Sequence, residues 1–150
     1  MCRYGCQQLS ILKPVLEAHN VKLIAIGMEE SLEDFIEGHF FSGDIFIDEK
    51  SSCYKDLRLK KTGLTSMFGL FDPRVTAAYK LAGQIPSNFN HMLTHGSQLG
   101  ATFVVAAGGA IMMEHRQDHH GDHVDNAQIL DALKLKLPPG TKTMIDGPKE

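Results

Sequence analysis

The chain has 150 residues, 43% of them hydrophobic and 22% charged, with a formal charge of -3. That is enough for one compact domain with a sizeable core, and the balance leaves no broad basic face for nucleic acid or an anionic membrane surface. Three cysteines, Cys2, Cys6 and Cys53, are sparse and odd in number, unlike the disulfide framework of a small secreted domain, and fit a reducing cytosol.

Leu9, Leu12 and Leu16, with Ile11 and Val15 beside them, follow helical spacing and predict an amphipathic helix from Cys2 to about His19, capped by Asn20. Pro14 lies inside it and should bend the helix without breaking it. Val21 to Ile26 is apolar apart from Lys22, the pattern of a central parallel strand covered on both faces. Ser31 caps a predicted short helix running through Gly38, with Asp34 as an imperfect capping-box partner, and Ile45-Phe46-Ile47 reads as a further buried strand.

Asp72 as N-cap, Pro73 as first helical residue and Gly83 as terminator frame another helix. Gln84 to Leu99 has no period and many turn formers, and is expected to be a surface loop. Ala101 to Ala106 and Ala110 to Glu114 flank Ala107-Gly108-Gly109, whose glycines suit a tight antiparallel hairpin. A His-rich loop follows. Asp125 then caps a last helix carrying Ile129, Leu130, Leu133 and Leu137 on one face, stopped by Pro138-Pro139-Gly140.

The polar N-terminus has no apolar stretch of a secretory leader, and the longest apolar run, Ala101 to Met113, holds two glycines and falls short of the roughly 20 residues a membrane span needs. The expected organisation is one α/β domain over residues 1–137 and a loosely ordered tail over 138–150.

Among residues that could carry chemistry, Cys2 opens a predicted helix beside Arg3, where unpaired N–H groups and a guanidinium both favour a thiolate; the plain alternative is an N-terminal thiol of no consequence. Cys6 falls one turn later, about 5–6 Å away by Cβ atoms where a disulfide needs roughly 4 Å, so bridging requires local unwinding. Packing as a small apolar residue is its simpler role. Cys53 stands alone in a turn-like stretch and reads as structural. His115, His119, His120 and His123, with Asp118 and Asp122, could in principle hold zinc, but their spacing fits no tight ligand motif and a solvated loop explains them. Lys55, Arg58, Lys60 and Lys61 make a short basic run of the kind usually solvated. Neither GxGxxG after a strand nor GxxxxGK[ST] occurs, so no cofactor-binding residues are assigned and reducing electrons must arrive through a partner.

Cys2-Arg3 followed by Leu9-Ser10, Leu12 and Leu16, then Val21-Lys22-Leu23-Ile24, resembles the peroxiredoxin-like 2 family of thioredoxin-fold proteins. The segment from Phe40-Phe41-Ser42-Gly43-Asp44 through Ile47-Asp48-Glu49-Lys50 to Tyr54-Lys55 is similar to the family's aromatic-Gly-acid-strand-Asp-Glu pattern. Gly100 to Val105 and Gly121-Asp122-His123-Val124 to Leu133 extend the likeness. The resemblance implies a thioredoxin-like fold, a mixed sheet flanked by helices, and it is nearest to members that reduce the endoperoxides prostamide H and prostaglandin H to F-series products. It implies catalytic roles for Cys2 and Arg3 and NADPH as the ultimate donor, with a thioredoxin-type partner expected to carry the electrons; no metal is expected, since the His-rich loop reads as solvated. In the family the helix begins Cys-x-x-Cys-Arg; Cys2 and Arg3 match its second cysteine and its arginine, while the first cysteine and the upstream strands have no counterpart here. The accompanying expectation is an N-terminally truncated chain that turns over poorly unless extended. A general thiol peroxidase, a non-catalytic thioredoxin-like binding protein and a metal-binding role for the His-rich loop stand as alternatives.

Overall fold

The computed structural model describes residues 2–27, 32–61, 98–119 and 121–136, with the backbone alone for Cys2, Leu32 and Asp34. The helix expected over Asp72–Gly83, most of the following loop, the Ser31 cap and the tail lie outside these residues.

The apolar stripe at the N-terminus forms two helices rather than one bent helix. Helix α1 is Cys2–Ser10, and α2 is Lys13–Ala18, with Leu12 as its N-cap and Pro14 in its first turn. Proline has no N–H to return to the carbonyl four residues back, and its ring crowds that carbonyl. The chain therefore tightens just before it: Ile11 N–H bonds Gln8 O at 3.3 Å and Leu12 N–H bonds Leu9 O at 3.0 Å, both reaching three residues back. Asn20 ends α2 as expected, at φ 55°, with Val21 N–H bonding Leu16 O and Asn20 N–H bonding Glu17 O.

Strand β1 (Ile24–Gly27) pairs in parallel with β2 (Asp44–Ile47), Ile26 opposite Phe46. Between them runs α3 (Leu32–Glu37). The expectation of strands covered on both faces is corrected here. Leu23, Ala25 and Ile45 are half-buried, whereas Ile24, Ile26 and Phe46, on the opposite face, are 49%, 48% and 55% exposed. A continuous apolar run does not reveal that only one of its faces is packed. Cys53, expected in a turn, sits in the short helix α4 (Ser52–Asp56).

Beyond residue 97, Gln98 bridges to Lys61 and leads through buried Leu99 into β3 (Ala101–Val105), which pairs antiparallel with β4 (Ile111–Arg116). The hairpin is the expected one. Ala106 N–H bonds Ala110 O and Gly109 N–H bonds Ala106 O, both at 2.8 Å, and Gly109 alone of the two glycines takes positive φ, at 85°. Met112 is bulged out between the Val104–Met113 and Val105–Ile111 pairs, and His115, expected in the loop, belongs to β4. Helix α5 (Asn126–Ala132) begins with a full capping box: Asp125 Oδ1 accepts from Ala127 N–H at 2.8 Å and Gln128 Oε1 accepts from Asp125 N–H at 3.3 Å. It ends before Leu137, because Lys134 turns to φ 56° and Leu135 N–H closes on Leu130 O.

The pairing is mixed, parallel in one pair and antiparallel in the other, and the two pairs share no ladder among the described residues. What joins them is the core: Leu12, Val15 and Leu16 from the start of the chain meet Val104 of β3, Val124, and Ile129 and Leu130 of α5. This anchors the N-terminal helices against the hairpin and the last helix.

Candidate redox site at the start of helix α1

Helix α1 starts at Cys2. Its first-turn N–H groups lack intrahelical acceptors and carry partial positive charge. Two segments far away in sequence pack against this end.

The first is the 40s segment. Helix α3 closes with His39 at φ 48° and Phe40 N–H on Phe35 O, so that the rings of Phe35 and Phe40 meet at 5.8 Å. A Cβ on Gly38 would lie 2.1 Å from the Phe40 ring, which is why a glycine stands there. Phe40, only 7% exposed, receives the Arg3 guanidinium over its face at 4.7 Å. Farther along α1, Ser10 Oγ donates to Cys6 O at 2.8 Å and accepts from Ser42 N–H at 3.0 Å, pinning the segment to the helix.

The second is the loop between β4 and α5. The His123 ring lies against buried Gly5, where a Cβ would be 2.7 Å from Cε1 and Nδ1, and beside Tyr4 at 6.3 Å between ring centroids. Gln117 holds the ring from behind: its Oε1 accepts from Gly100 N–H at 2.8 Å and its Nε2 faces His123 Nδ1 at 3.2 Å. Asn126 Nδ2 donates to Gln8 O at 2.8 Å and ties α5 to the same helix.

Of the residues singled out in the sequence, Cys2 and Arg3 are thus at the start of α1, Arg3 stacked on Phe40. Cys6 and Cys53 are half-buried thiols, and α1 runs unbroken through Cys6. The histidines part company. His115 Nε2 meets Asp122 Oδ1 at 3.2 Å, while His123 turns to α1, and among the described residues no group of three His, Cys, Asp or Glu side chains is placed to hold a metal ion. The basic run is broken up as well: Lys60 pairs with Asp118, holding that carboxyl below its ordinary pKa, and Lys55 donates to Lys50 O at 3.2 Å.

Two features escaped sequence reasoning. Composition groups His123 with its neighbours, and only the contact with Gly5, 118 residues earlier, separates it from them. In the sequence Asp48 stands in a motif without a role. It is the acceptor that starts α4, taking Ser52 N–H and Oγ on Oδ1 at 2.9 and 2.8 Å and Cys53 N–H on Oδ2 at 2.7 Å. The signal was an Asp four residues before Ser52. Tyr54 of α4 reaches back to Ile26 O at 3.1 Å. A concavity of about 380 Å³ between β4 and α5 and another of about 400 Å³ beside α2 have no lining residue from α1.

Residues 8–119 match the family model described as AhpC/TSA antioxidant enzyme. A protein of Salmo salar named prostamide/prostaglandin F synthase is 39% identical over 141 residues, which is 90% of this chain and 68% of the relative. Proteins of the same name from Sus scrofa and Homo sapiens are 35% and 33% identical, covering 89% and 90% of this chain and 67% and 69% of their own lengths. No solved structure matches.

Proposed function

This chain belongs to the AhpC/TSA antioxidant enzyme family, with its thioredoxin-like fold, and on that premise we propose that it is a thiol-dependent reductase of lipid endoperoxides, prostamide H and prostaglandin H, yielding F-series products. The observation that carries the proposal is the similarity, over about nine-tenths of the chain, to proteins named for that synthase. The opening of α1 by Cys2-Arg3 supplies the chemistry.

In this reading the Cys2 thiolate attacks one peroxide oxygen; an S–O bond forms, the O–O bond breaks, and the second oxygen leaves as an alkoxide on the same molecule and takes a proton. A second thiol attacks the Cys2 sulfur, forming a disulfide and freeing the first oxygen as a hydroxyl. Two thiols are oxidised to one disulfide while the O–O bond is reduced by two electrons. A thioredoxin-type protein supplies the second thiol and, with NADPH as ultimate donor, restores Cys2. The reducing cytosol is the compartment such a cycle needs; no described helix is long and apolar enough to cross a membrane. The family description favours a second reading, a general thiol peroxidase acting on hydrogen peroxide or lipid hydroperoxides.

The test follows NADPH oxidation with thioredoxin, thioredoxin reductase and either prostaglandin H or hydrogen peroxide. Faster turnover of the endoperoxide, lost in Cys2→Ser, is the expected result. Turnover of hydrogen peroxide alone would favour the second reading, and full activity in Cys2→Ser would overturn both.

A further inference from the structure

His123 is held in one tautomer against the helix that begins with Cys2. Gly5 leaves the gap that admits the ring, since a Cβ there would stand 2.7 Å from two of its atoms. A side chain at a helical position covers the turn N-terminal to its own Cα, and positions 2 and 5 are neighbours on one helix face. The imidazole, filling the space beyond Gly5, therefore lies on the helix face that position 2 shares.

The tautomer follows from one backbone donor. Gly100 N–H can only donate, so the Gln117 atom it meets at 2.8 Å is the amide oxygen. The amide nitrogen then faces His123 Nδ1 at 3.2 Å. With an N–H donating to it, Nδ1 is an acceptor and the ring proton resides on Nε2. Turning the amide over would set its NH₂ against Gly100 N–H. Among the described residues, the other titratable groups nearby are Tyr4, Arg3 and Cys6 on α1, with Arg3 over Phe40, and in the loop Asp122, on His115 at 3.2 Å, His119, and Asp125, on Ala127 N–H at 2.8 Å.

We propose that His123 is a positioning residue of the redox site: oriented by Gly100 and Gln117, its Nε2–H stabilises the thiolate at Cys2 and sets the pH at which that thiol reacts. The inference rests on the reading of Cys2 as the reacting thiol.

The test measures iodoacetamide alkylation of Cys2 in the full chain across pH, resolved by peptide mass spectrometry. His123→Ala should move the midpoint up by about one pH unit, slowing alkylation about tenfold on the acid limb, and His123→Gln, which keeps an amide N–H, should recover part of the shift. Gly5→Ala, which favours helix but displaces the ring, should behave like His123→Ala. Gln117→Glu should do the reverse, because a carboxylate facing Nδ1 favours the imidazolium, whose added charge moves the midpoint down. Shifts of opposite sign are not produced by loosened packing. A reactive Cys2 whose midpoint is the same in all four variants overturns the inference alone; a wild-type Cys2 that fails to alkylate at any pH overturns the reading of the site and the inference with it.

Discussion

Asp48 is 7% exposed, and both its carboxylate oxygens are taken. Burial by itself pushes its pKa up, but the Ser52 hydroxyl and the N–H groups of Ser52, Cys53 and Tyr54 outweigh that and hold it below its ordinary value. A carboxyl whose folded pKa is depressed contributes stability that is fully present above its unfolded pKa and lost as pH falls through the folded one. Asp48→Asn keeps the shape but turns an NH₂ toward backbone donors. Its stability deficit, read from urea titrations, should be clear at neutral pH and shrink as pH drops below the ordinary carboxylate range; a deficit independent of pH would show that charge is not what Asp48 supplies. Cysteine reactivity belongs to the same scale. With limiting alkylating reagent near neutral pH, Cys2 should label before half-buried Cys6 and Cys53, and faster labelling of either would count against its role.

At the scale of elements, the segment Gly43-Asp44 shows what a sequence motif conceals. A Cβ on Gly43 would lie 2.2 Å from the Leu23 carbonyl oxygen, and Asp44 N–H bonds that same carbonyl at 2.9 Å as β2 joins β1. Both groups are backbone, so neither can yield cheaply. Gly43→Ala should cost about 1–3 kcal/mol in chemical denaturation, and a neutral result would mean that the strands can part there without loss. The glycine was visible in the sequence; its reason, an approach by a residue 20 positions earlier, was not. Helix ends divide the same way. Asn20, His39 and Lys134 all take positive φ and end helices by one hydrogen-bond pattern, but of the three only asparagine is a recognised helix-terminating signal in sequence. The stop at Asn20 was legible, whereas Lys134 ends α5 ahead of the proline pair that seemed to mark it. The Asp125 cap and the hairpin glycines were legible because both devices are local. The His-rich loop was the opposite case: His115 bonds Asp122 while His123 packs on α1, so a zinc titration should show no stoichiometric submicromolar site, and one that disappears in His119→Ala, His123→Ala would reverse this.

For the whole molecule, the stripe of Leu12, Val15 and Leu16 was readable from periodicity, because burying that stripe is what gives it its spacing. The partner it buries against was not readable, since Val104, Val124, Ile129 and Leu130 come from the other end of the chain. Nor was the difference between this core and the β1–β2 face, as both are written in the same apolar residues. A comparison of two substitutions separates them. Leu12 is fully buried at the junction of α1 and α2 and touches a core built from both ends of the chain, so Leu12→Ala removes buried methyl groups and leaves a cavity, costing about 2–5 kcal/mol. Phe46 is 55% exposed and has Ile26 as its cross-strand neighbour; Phe46→Thr keeps β propensity and should cost about 1 kcal/mol or less. The apolar surface it removes adjoins Ile24 and Ile26, so the variant should also scatter less light on concentration. Urea titration of both variants beside the wild type decides the matter, and a loss at Phe46 equal to that at Leu12 would mean that the exposed face of β1–β2 is a core of its own.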